Sequence, residues 1–254
     1  MSVSRVLFLV FETSGVAYSI HVNGIKLAAD RSEPQSSNAF PINQWLQPGT
    51  NRLAVNLSVP YEQEDYKEGK SALVRILEPG EGESPETVFA SLAWNDAQGE
   101  DFPIDMALDF EVEAGFPIPA WMGADALGEA EAADASLRHF LARLHADLRS
   151  RDLPAFQSGF AVKTSEMAAA YGMDPADRLN GQREFMGRLF GDPRWDLEPL
   201  PNELAFEFQA DRRMLTVTKK TGKPVLQSVE LDDGVLFGID LHLSRKAGAW
   251  FVCR

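Results

Sequence analysis

Two residues near the end of the sequence have side chains suited to acid–base catalysis. Asp240 and His242 lie two positions apart in a predicted strand, Val235 to Leu243, so both side chains are expected on one face of that strand. A carboxylate beside an imidazole can exchange protons with a substrate near neutral pH. The odd positions of the strand are apolar, which favours a second interpretation: the odd face packs on helices and the Asp240/His242 pair is solvated.

Three aromatic residues in the same part of the chain are candidates for a pocket wall. They are Tyr171, Trp195 and Trp250. Aromatic rings also fill hydrophobic cores, so these residues alone predict no site. If they enclosed a small substrate, the chain would be an enzyme of the isomerase or dehydratase type.

Acidic residues form a third candidate site, for a protein partner. Glu62, Glu64, Asp65 and Glu68 predict a solvated loop that could also steer a basic protein to the surface. The carboxylates around Gly99 do not have EF-hand spacing, so a solvated loop is favoured there over a calcium site. We expect neither a metal nor a cofactor.

The common catalytic motifs are missing from the sequence. It contains no phosphate-binding Gly-Lys loop, no His-Glu-x-x-His and no Gly-x-Ser-x-Gly elbow. Cys253 is the only cysteine, which excludes an internal disulfide and a thiolate-rich zinc site. It is predicted to be a small buried apolar residue. A non-enzymatic role is therefore favoured.

The charge of the chain is strongly negative and unevenly divided. The 254 residues have a net charge of -14, with 18 acidic and 7 basic side chains in residues 1–120 against 20 and 17 in residues 121–254. This charge repels phosphate backbones, so nucleic acid is not an expected partner. The apolar run Val6 to Phe11 is too short for a membrane helix or a usual signal peptide, so a cytoplasmic protein is expected.

The two halves differ in their hydrophobic pattern as well. Two prolines in the segment 114–119 disfavour both helix and strand, which predicts a boundary there. We expect an acidic antiparallel β-sandwich over residues 1–114, a linker over 115–130 and an α+β domain over 131–254.

Strands with a two-residue period dominate the first half. Val16 to Val22 alternates and is followed by Asn23-Gly24, a pair typical of a tight hairpin. The same period recurs from Leu53, Val88 and Met106, which predicts stacked sheets with one apolar face per strand.

Helices precede strands in the second half. Leucines and a phenylalanine at helical spacing predict a helix over Leu137 to Leu148, and Asp152 and Asp174 are suited to capping two more. Five strands with turns between them are then predicted, over Leu204 to Phe208, Met214 to Thr218, Val225 to Leu231, Val235 to Leu243 and Ala249 to Cys253. This order is typical of three helices packed on an antiparallel sheet.

The segment Phe40 to Val55 resembles the entry to a late strand in galactose-binding-like jelly rolls. A short apolar turn, the corner Gly49-Thr50-Asn51 and a strand follow in that order, and Tyr18 to Gly24 is similar to the strand just upstream. The resemblance implies a jelly-roll-like sandwich. Some members of that group bind sugars, which makes a carbohydrate-binding module a further possibility, with Trp45 and Trp94 as its aromatic residues.

Residues 130–254 resemble the nuclear transport factor-like superfamily. The residues that carry the likeness are Asp147 to Phe160 at a helix junction, Gly181 to Met186 at a helix entry and Gly248 to Val252 in a closing strand. The resemblance implies a curved antiparallel sheet wrapped around helices and a pocket. Members use this cone for catalysis or for protein contacts, including dimerisation through the sheet.

Taken together, these features favour a recognition protein that binds a partner with a basic surface. Neutralisation of a basic bacterial toxin, as by an immunity protein, would suit the charge. The isomerase-type enzyme and the carbohydrate-binding module remain the alternatives.

Overall fold

The structure, a computed structural model, consists of two compact units. It describes residues 5–31, 35–59, 69–80, 85–99, 101–113, 115–231, 234–235 and 237–254. The first unit comprises residues 1–119 with 170–172, and the second comprises 120–169 with 173–254. Each unit has its own cluster of buried apolar side chains.

Eight strands form the first unit in the described residues. They are β1 Phe8–Ser14, β2 Ala17–Val22, β3 Ile25–Asp30, β4 Gln35–Pro41, β5 Gly49–Ser58, β6 Ser71–Glu78, β7 Thr87–Asn95 and β8 Ile104–Val112. They make two four-stranded antiparallel sheets, in the orders β4-β1-β6-β7 and β3-β2-β5-β8. Side chains from both sheets share one buried cluster, as in a sandwich.

The hairpin and the alternating strands match the sequence prediction. Asn23 and Gly24 connect β2 to β3, and both have positive φ, 53° and 72°, as the predicted two-residue turn requires. In β5 the predicted inward residues Leu53, Val55 and Leu57 are buried. In β8, by contrast, Leu108 is exposed although its alternation predicts burial.

Two strands of the first unit were not predicted. β4 is polar and mostly exposed, and β6 has a hydrophobic pattern broken by Arg75. β4 is an edge strand, so it needs no apolar face, and β6 lies between β1 and β7 in the sheet. A continuous apolar run such as Val6 to Phe11 is typical of a strand covered on both faces, but the structure buries Leu7, Leu9 and Phe11 and leaves Phe8 and Val10 half-buried.

The second unit has helices followed by strands. The helices are α1 Glu129–Ala132, α2 Ala135–Arg149, α3 Leu153–Gly159, α4 Ala161–Ala170 and α5 Pro175–Gly191. The strands are β9 Leu204–Gln209, β10 Met214–Lys219, β11 Leu226–Gln227, β12 Glu230–Leu231, β13 Gly234–Val235, β14 Gly238–Ile239, β15 Leu241–Lys246 and β16 Ala249–Val252. Four of them form an antiparallel sheet in the order β16-β15-β10-β9.

Aspartate side chains cap three helices; the caps at Asp152 and Asp174 were predicted, and the cap at Asp134 was not. The side chains of Asp134, Asp152 and Asp174 accept hydrogen bonds from backbone N–H groups in the first turns of α2, α3 and α5. The apolar face of α2 is buried in one cluster with Leu215 of β10 and Leu243 of β15. This packing holds the helices against the sheet.

Three predictions for the second unit need correction. The predicted strands 225–231 and 235–243 are each divided into short pieces, because the chain leaves strand geometry at Asp240 and between β11 and β12. The helix capped by Asp152 ends at Gly159, and α4 follows as a separate helix. The segment predicted as a linker contains Leu127, which is buried in the core of the second unit.

Candidate functional site

Asp240 and His242 do not lie on one continuous strand. Asp240 is exposed between β14 and β15, whereas His242 is half-buried on β15. The His242 Nδ1 atom lies 2.9 Å from the hydroxyl oxygen of Thr216. Leu241 and Leu243 of the same strand are in the hydrophobic core, so the odd face of β15 packs inward. Whether the pair acts in catalysis stays a prediction.

The three predicted pocket aromatics lie in different surroundings. Trp195 is buried with its ring edge-on to Phe190 and Phe237, at centroid distances of 5.3 and 5.7 Å. Trp250 is buried and its Nε1 donates a hydrogen bond to Ser136 Oγ. Tyr171 groups with the first unit, where its hydroxyl donates to Gln44 Oε1. Trp195 and Trp250 belong to the same buried cluster of the second unit.

The remaining sequence predictions concern the acidic partner site, the aromatics considered for sugar binding and possible metal ligands. Glu62, Glu64, Asp65 and Glu68 lie outside the described residues. Of the two aromatics considered for sugar binding, Trp94 is buried and Trp45 is half-buried against the core. Within the described ranges, no three His, Cys, Asp or Glu side chains are grouped so that they could hold a metal ion.

A cavity of about 360 Å³ lies between α4 and α5 in the second unit. We call it the α4–α5 cavity. Its apolar lining comes from Phe160, Met167, Met173, Phe185 and Ile239. Its polar lining comes from Lys163, Thr164, Asp177, Arg178, Gly181 and Gln182. The volume is near the lower end of the range for small-molecule sites, about 300 to 1,000 Å³.

Lys163 is the most unusual group in this lining. Burial lowers the pKa of its ammonium to about 8, and the positive charges of Arg254 and Arg178 lower it as well, while Cys253 and Asp240 act in the opposite direction. Its Nζ lies 6.0 Å from the centre of the Phe160 ring. Among the described residues, the Lys163 ammonium has no ion-pair partner.

Arg178, on α5, is a second cation in the lining. One of its terminal nitrogens donates a 3.5 Å hydrogen bond to the sulfur of Met167, which is a weak acceptor. Within the part of the chain that the structure describes, no carboxylate lies within ion-pair distance of Arg178. The cavity therefore presents two cations to an apolar space.

Gln182 contributes an acceptor without a partner. Its Oε1 is buried and receives no hydrogen bond from any described residue. A buried acceptor that lacks a donor is costly, and a ligand with a hydroxyl or N–H group would satisfy it.

An ion pair between Arg254 and Glu166 lies near Lys163. Arg254 is buried and its Nη1 pairs with Glu166 Oε2 on α4, while Glu166 Oε1 accepts a hydrogen bond from Ala120 N. Next to it, burial raises the pKa of the Cys253 thiol to about 11, and the thiol donates a 3.0 Å hydrogen bond to the His242 carbonyl. Cys253 is thus protonated at neutral pH, and Glu166 is already paired with Arg254.

The sequence analysis missed this cavity, although a signal for it exists. Phe160, Lys163, Thr164 and Met167 are spaced as one face of a helix, and so are Arg178, Gly181, Gln182 and Phe185. Each face contains a cation together with at least one large apolar side chain, a combination that is compatible with a ligand site between two helices. Recognising this requires knowing that α4 and α5 face one another.

No protein-family model matches the chain, and neither the curated proteins nor the solved structures contain a significant match.

Among the described residues, no helix is both long enough and apolar enough to span a membrane.

Proposed function

We propose that the second unit binds a small organic anion with an apolar body in the α4–α5 cavity. The observation that carries this proposal is the presence of Lys163 and Arg178, two cations without ion-pair partners among the described residues, in a lining that also contains five apolar side chains. A carboxylate ligand would accept hydrogen bonds from both cations, and its apolar part would contact Phe160, Met167 and Phe185. The finer fold assignment, a nuclear transport factor-like cone, agrees with a ligand-binding role and is itself a proposal.

Gly181 offers a clean way to test the binding site. It lines the cavity, and a Cβ added there would meet no atom of the described residues within 4 Å. A Gly181→Leu side chain can therefore occupy the cavity with little cost to α5, which gains a better helix former. Gly187, on the same helix, also has open space around it but does not line the cavity, so Gly187→Leu is the matched control.

Titration calorimetry with 4-methylpentanoate as the probe would measure the binding. We expect wild type and Gly187→Leu to bind it, Gly181→Leu to lose binding and Arg178→Gln to weaken it about tenfold or more, because a charged hydrogen bond is lost. The uncharged analogue 4-methylpentanamide should bind more weakly than the acid. Equal binding by wild type and Gly181→Leu would contradict the proposal.

A second candidate function concerns the first unit, for which we propose recognition of a basic protein. It is supported by the acidic first half and by Asp105, Asp109 and Glu111, which lie exposed on one face of β8. Neighbouring β5 residues contact each of them: Asn56 donates to Asp105, Arg52 pairs with Asp109 at 3.0 Å and Thr50 donates to Glu111. These contacts orient the carboxylates into a row. An immunity-like role in a bacterial cytoplasm is the specific form of this proposal.

Salt-dependent capture from the source organism tests the second candidate. The triple variant D105N/D109N/E111Q should lose a basic partner that wild type retains at low salt, because complementary potentials are screened or removed. The variant D125N/E184Q/D211N removes three exposed charges from the second unit and serves as the control. Loss of the same partner in both variants would assign the effect to net charge and contradict a β8 site.

A further inference from the structure

Lys163 combines three properties that nucleophilic amines in proteins require. It lines a cavity, it has no ion-pair partner among the described residues, and its pKa of about 8 leaves a sizeable fraction of neutral amine at physiological pH. Desolvation and nearby cations are the established means of activating a lysine as a nucleophile. Simple charge pairing with an anionic ligand would not require the lowered pKa.

We propose that Lys163 forms an imine with a 2-oxo acid that carries an apolar side chain. This inference rests on the proposed function, since the same cavity must first bind the carboxylate. A 2-oxo acid places its carbonyl carbon next to the carboxylate, so Arg178 can hold the acid group while Lys163 attacks. The apolar side chain would then occupy the space lined by Phe160, Met167 and Phe185.

The reaction is a condensation without redox change. The lone pair of neutral Nζ attacks the C2 carbonyl carbon, forming a C–N bond and breaking the carbonyl π bond, and the oxygen takes up a proton to give a carbinolamine. Loss of that hydroxyl as water gives the protonated imine. Overall, one ammonium and one carbonyl give one iminium and one water, so atoms and charge balance.

Gln182 suits the intermediate of this reaction. The carbinolamine has a hydroxyl group that can donate a hydrogen bond, and the cavity-lining residue Gln182 has a buried Oε1 that lacks a donor among the described residues. Asp177 also lines the cavity and is exposed, so it can relay protons to solvent. Each polar group of the intermediate thus has a counterpart in the lining.

The charges around Lys163 come from several elements. Arg178 and Asp177 lie on α5, Asp240 lies between β14 and β15, and Arg254 and Cys253 follow β16. Glu166 of α4 pairs with Arg254, whereas Arg178 has no ion-pair partner among the described residues. Imine formation should therefore accelerate as the pH rises through about 8, where Lys163 loses its proton.

Reductive trapping tests the proposal directly. The intact protein is incubated with 4-methyl-2-oxopentanoate and sodium cyanoborohydride, which delivers hydride to the iminium carbon and fixes the adduct as a secondary amine. Peptide mass spectrometry then measures the modified fraction of each lysine. We expect Lys163 to react about tenfold faster than exposed Lys246, because far more of its amine is neutral.

Variants and a competitor define the alternatives. Lys163→Arg keeps the charge and should abolish the adduct, Lys163→Met should do the same, and Lys246→Arg should leave it unchanged. Excess 4-methylpentanoate, which lacks the carbonyl, should suppress labelling of Lys163. Labelling spread over the lysines according to their exposure would overturn the proposal.

The two proposals fail in different ways. Suppose that calorimetry detects binding of 4-methylpentanoate and that Gly181→Leu abolishes this binding, but no Lys163 adduct forms. The anion-binding proposal is then supported, and the imine proposal is wrong. If neither acid binds and Lys163 is not labelled, both proposals are wrong.

Discussion

Several polar side chains of this protein are buried and form hydrogen bonds there, and Asn51 is the clearest example. Only 1% of the residue is exposed, yet its amide makes four hydrogen bonds. Nδ2 donates to the carbonyl oxygens of Gln47 and Gly49, and Oδ1 accepts from Gln47 N and Asn23 Nδ2. Gly49, with φ of +85°, completes the corner that the sequence analysis identified.

Replacing Asn51 should therefore destabilise the first unit strongly. Asn51→Asp removes two donors and buries a charge, and we expect a loss of roughly 3 kcal/mol or more in the free energy of unfolding. Urea titration monitored by tryptophan fluorescence measures this loss. Asn56→Ala, an exposed asparagine on the same strand, should change the stability by less than about 1 kcal/mol. Equal effects would mean that the four bonds are unimportant.

Lys163 predicts a characteristic dependence of stability on pH. The unfolded chain keeps this proton up to the ordinary lysine pKa of 10.5, but the folded protein releases it near 8. Below pH 8 the Lys163 amine is charged in both the folded and the unfolded state, so the full cost of burying the charge lowers the free energy of unfolding. Between pH 8 and 10.5 the folded amine is neutral, and this cost falls toward zero. Lys163→Met should thus be roughly 1 to 2 kcal/mol more stable than wild type at pH 7.

The difference between the two proteins should shrink toward zero as the pH rises from 8 to 10.5, and paired urea titrations measure it. The stabilities of the two proteins have to be subtracted because Cys253 is present in both, and its effect on the stability changes with pH in the opposite direction. Its raised pKa stabilises the folded protein relative to the unfolded chain below about pH 9, and this contribution is lost between pH 9 and 11. A constant difference would show that the amine is not buried.

At the scale of elements, α2 and α3 make a close contact that depends on Gly159. A Cβ added to Gly159 would lie 2.5 Å from Leu144 Cδ2, and Leu144 is fully buried, so that methyl group has little room to move. The helices can approach this closely only without a side chain at residue 159.

Gly159→Ala should consequently lower the free energy of unfolding by roughly 1 to 3 kcal/mol, as overpacking does in other cores. Gly187→Ala in α5, where the added methyl group meets nothing within 4 Å, should instead raise it by up to about 1 kcal/mol. Thermal or urea unfolding of the two variants provides the comparison. A stabilising Gly159→Ala substitution would contradict the close approach of α2 and α3.

Local signals in the sequence predicted the elements with strong periodicity or capping. The Asn23-Gly24 turn, the aspartate caps and the α2 stripe act over a few residues, so their consequences could be inferred without the fold. The edge strand β4 could not, because a strand at the edge of a sheet does not need an apolar face. The α4–α5 cavity could not either, since it depends on which helices face one another.

At the scale of the whole molecule, the two buried clusters share no residue. Leu53 belongs to the cluster of the first unit and Leu215 to that of the second, where Cys253 is also buried. The cysteine thus reports on the opening of the second unit, because a buried, protonated thiol does not react until it is exposed.

Leu215→Ala should accelerate alkylation of Cys253 by iodoacetamide about tenfold or more, since truncating a buried leucine costs roughly 2 to 5 kcal/mol. Leu53→Ala should leave the rate of alkylation unchanged while lowering the urea midpoint of the first unit. Similar acceleration by both substitutions would mean that the two clusters unfold as one cooperative unit.

The edge strand β4 has a consequence for the behaviour of concentrated samples. The serines and Asn38 of β4 are polar, so this edge of the sheet has few apolar side chains that a strand of another molecule could contact. Pro41, where the strand ends, lacks a backbone N–H donor. Fibril growth needs a long apolar template with every amide available. β4 provides neither feature, so we expect this edge of the sheet to pair poorly with a strand of another molecule.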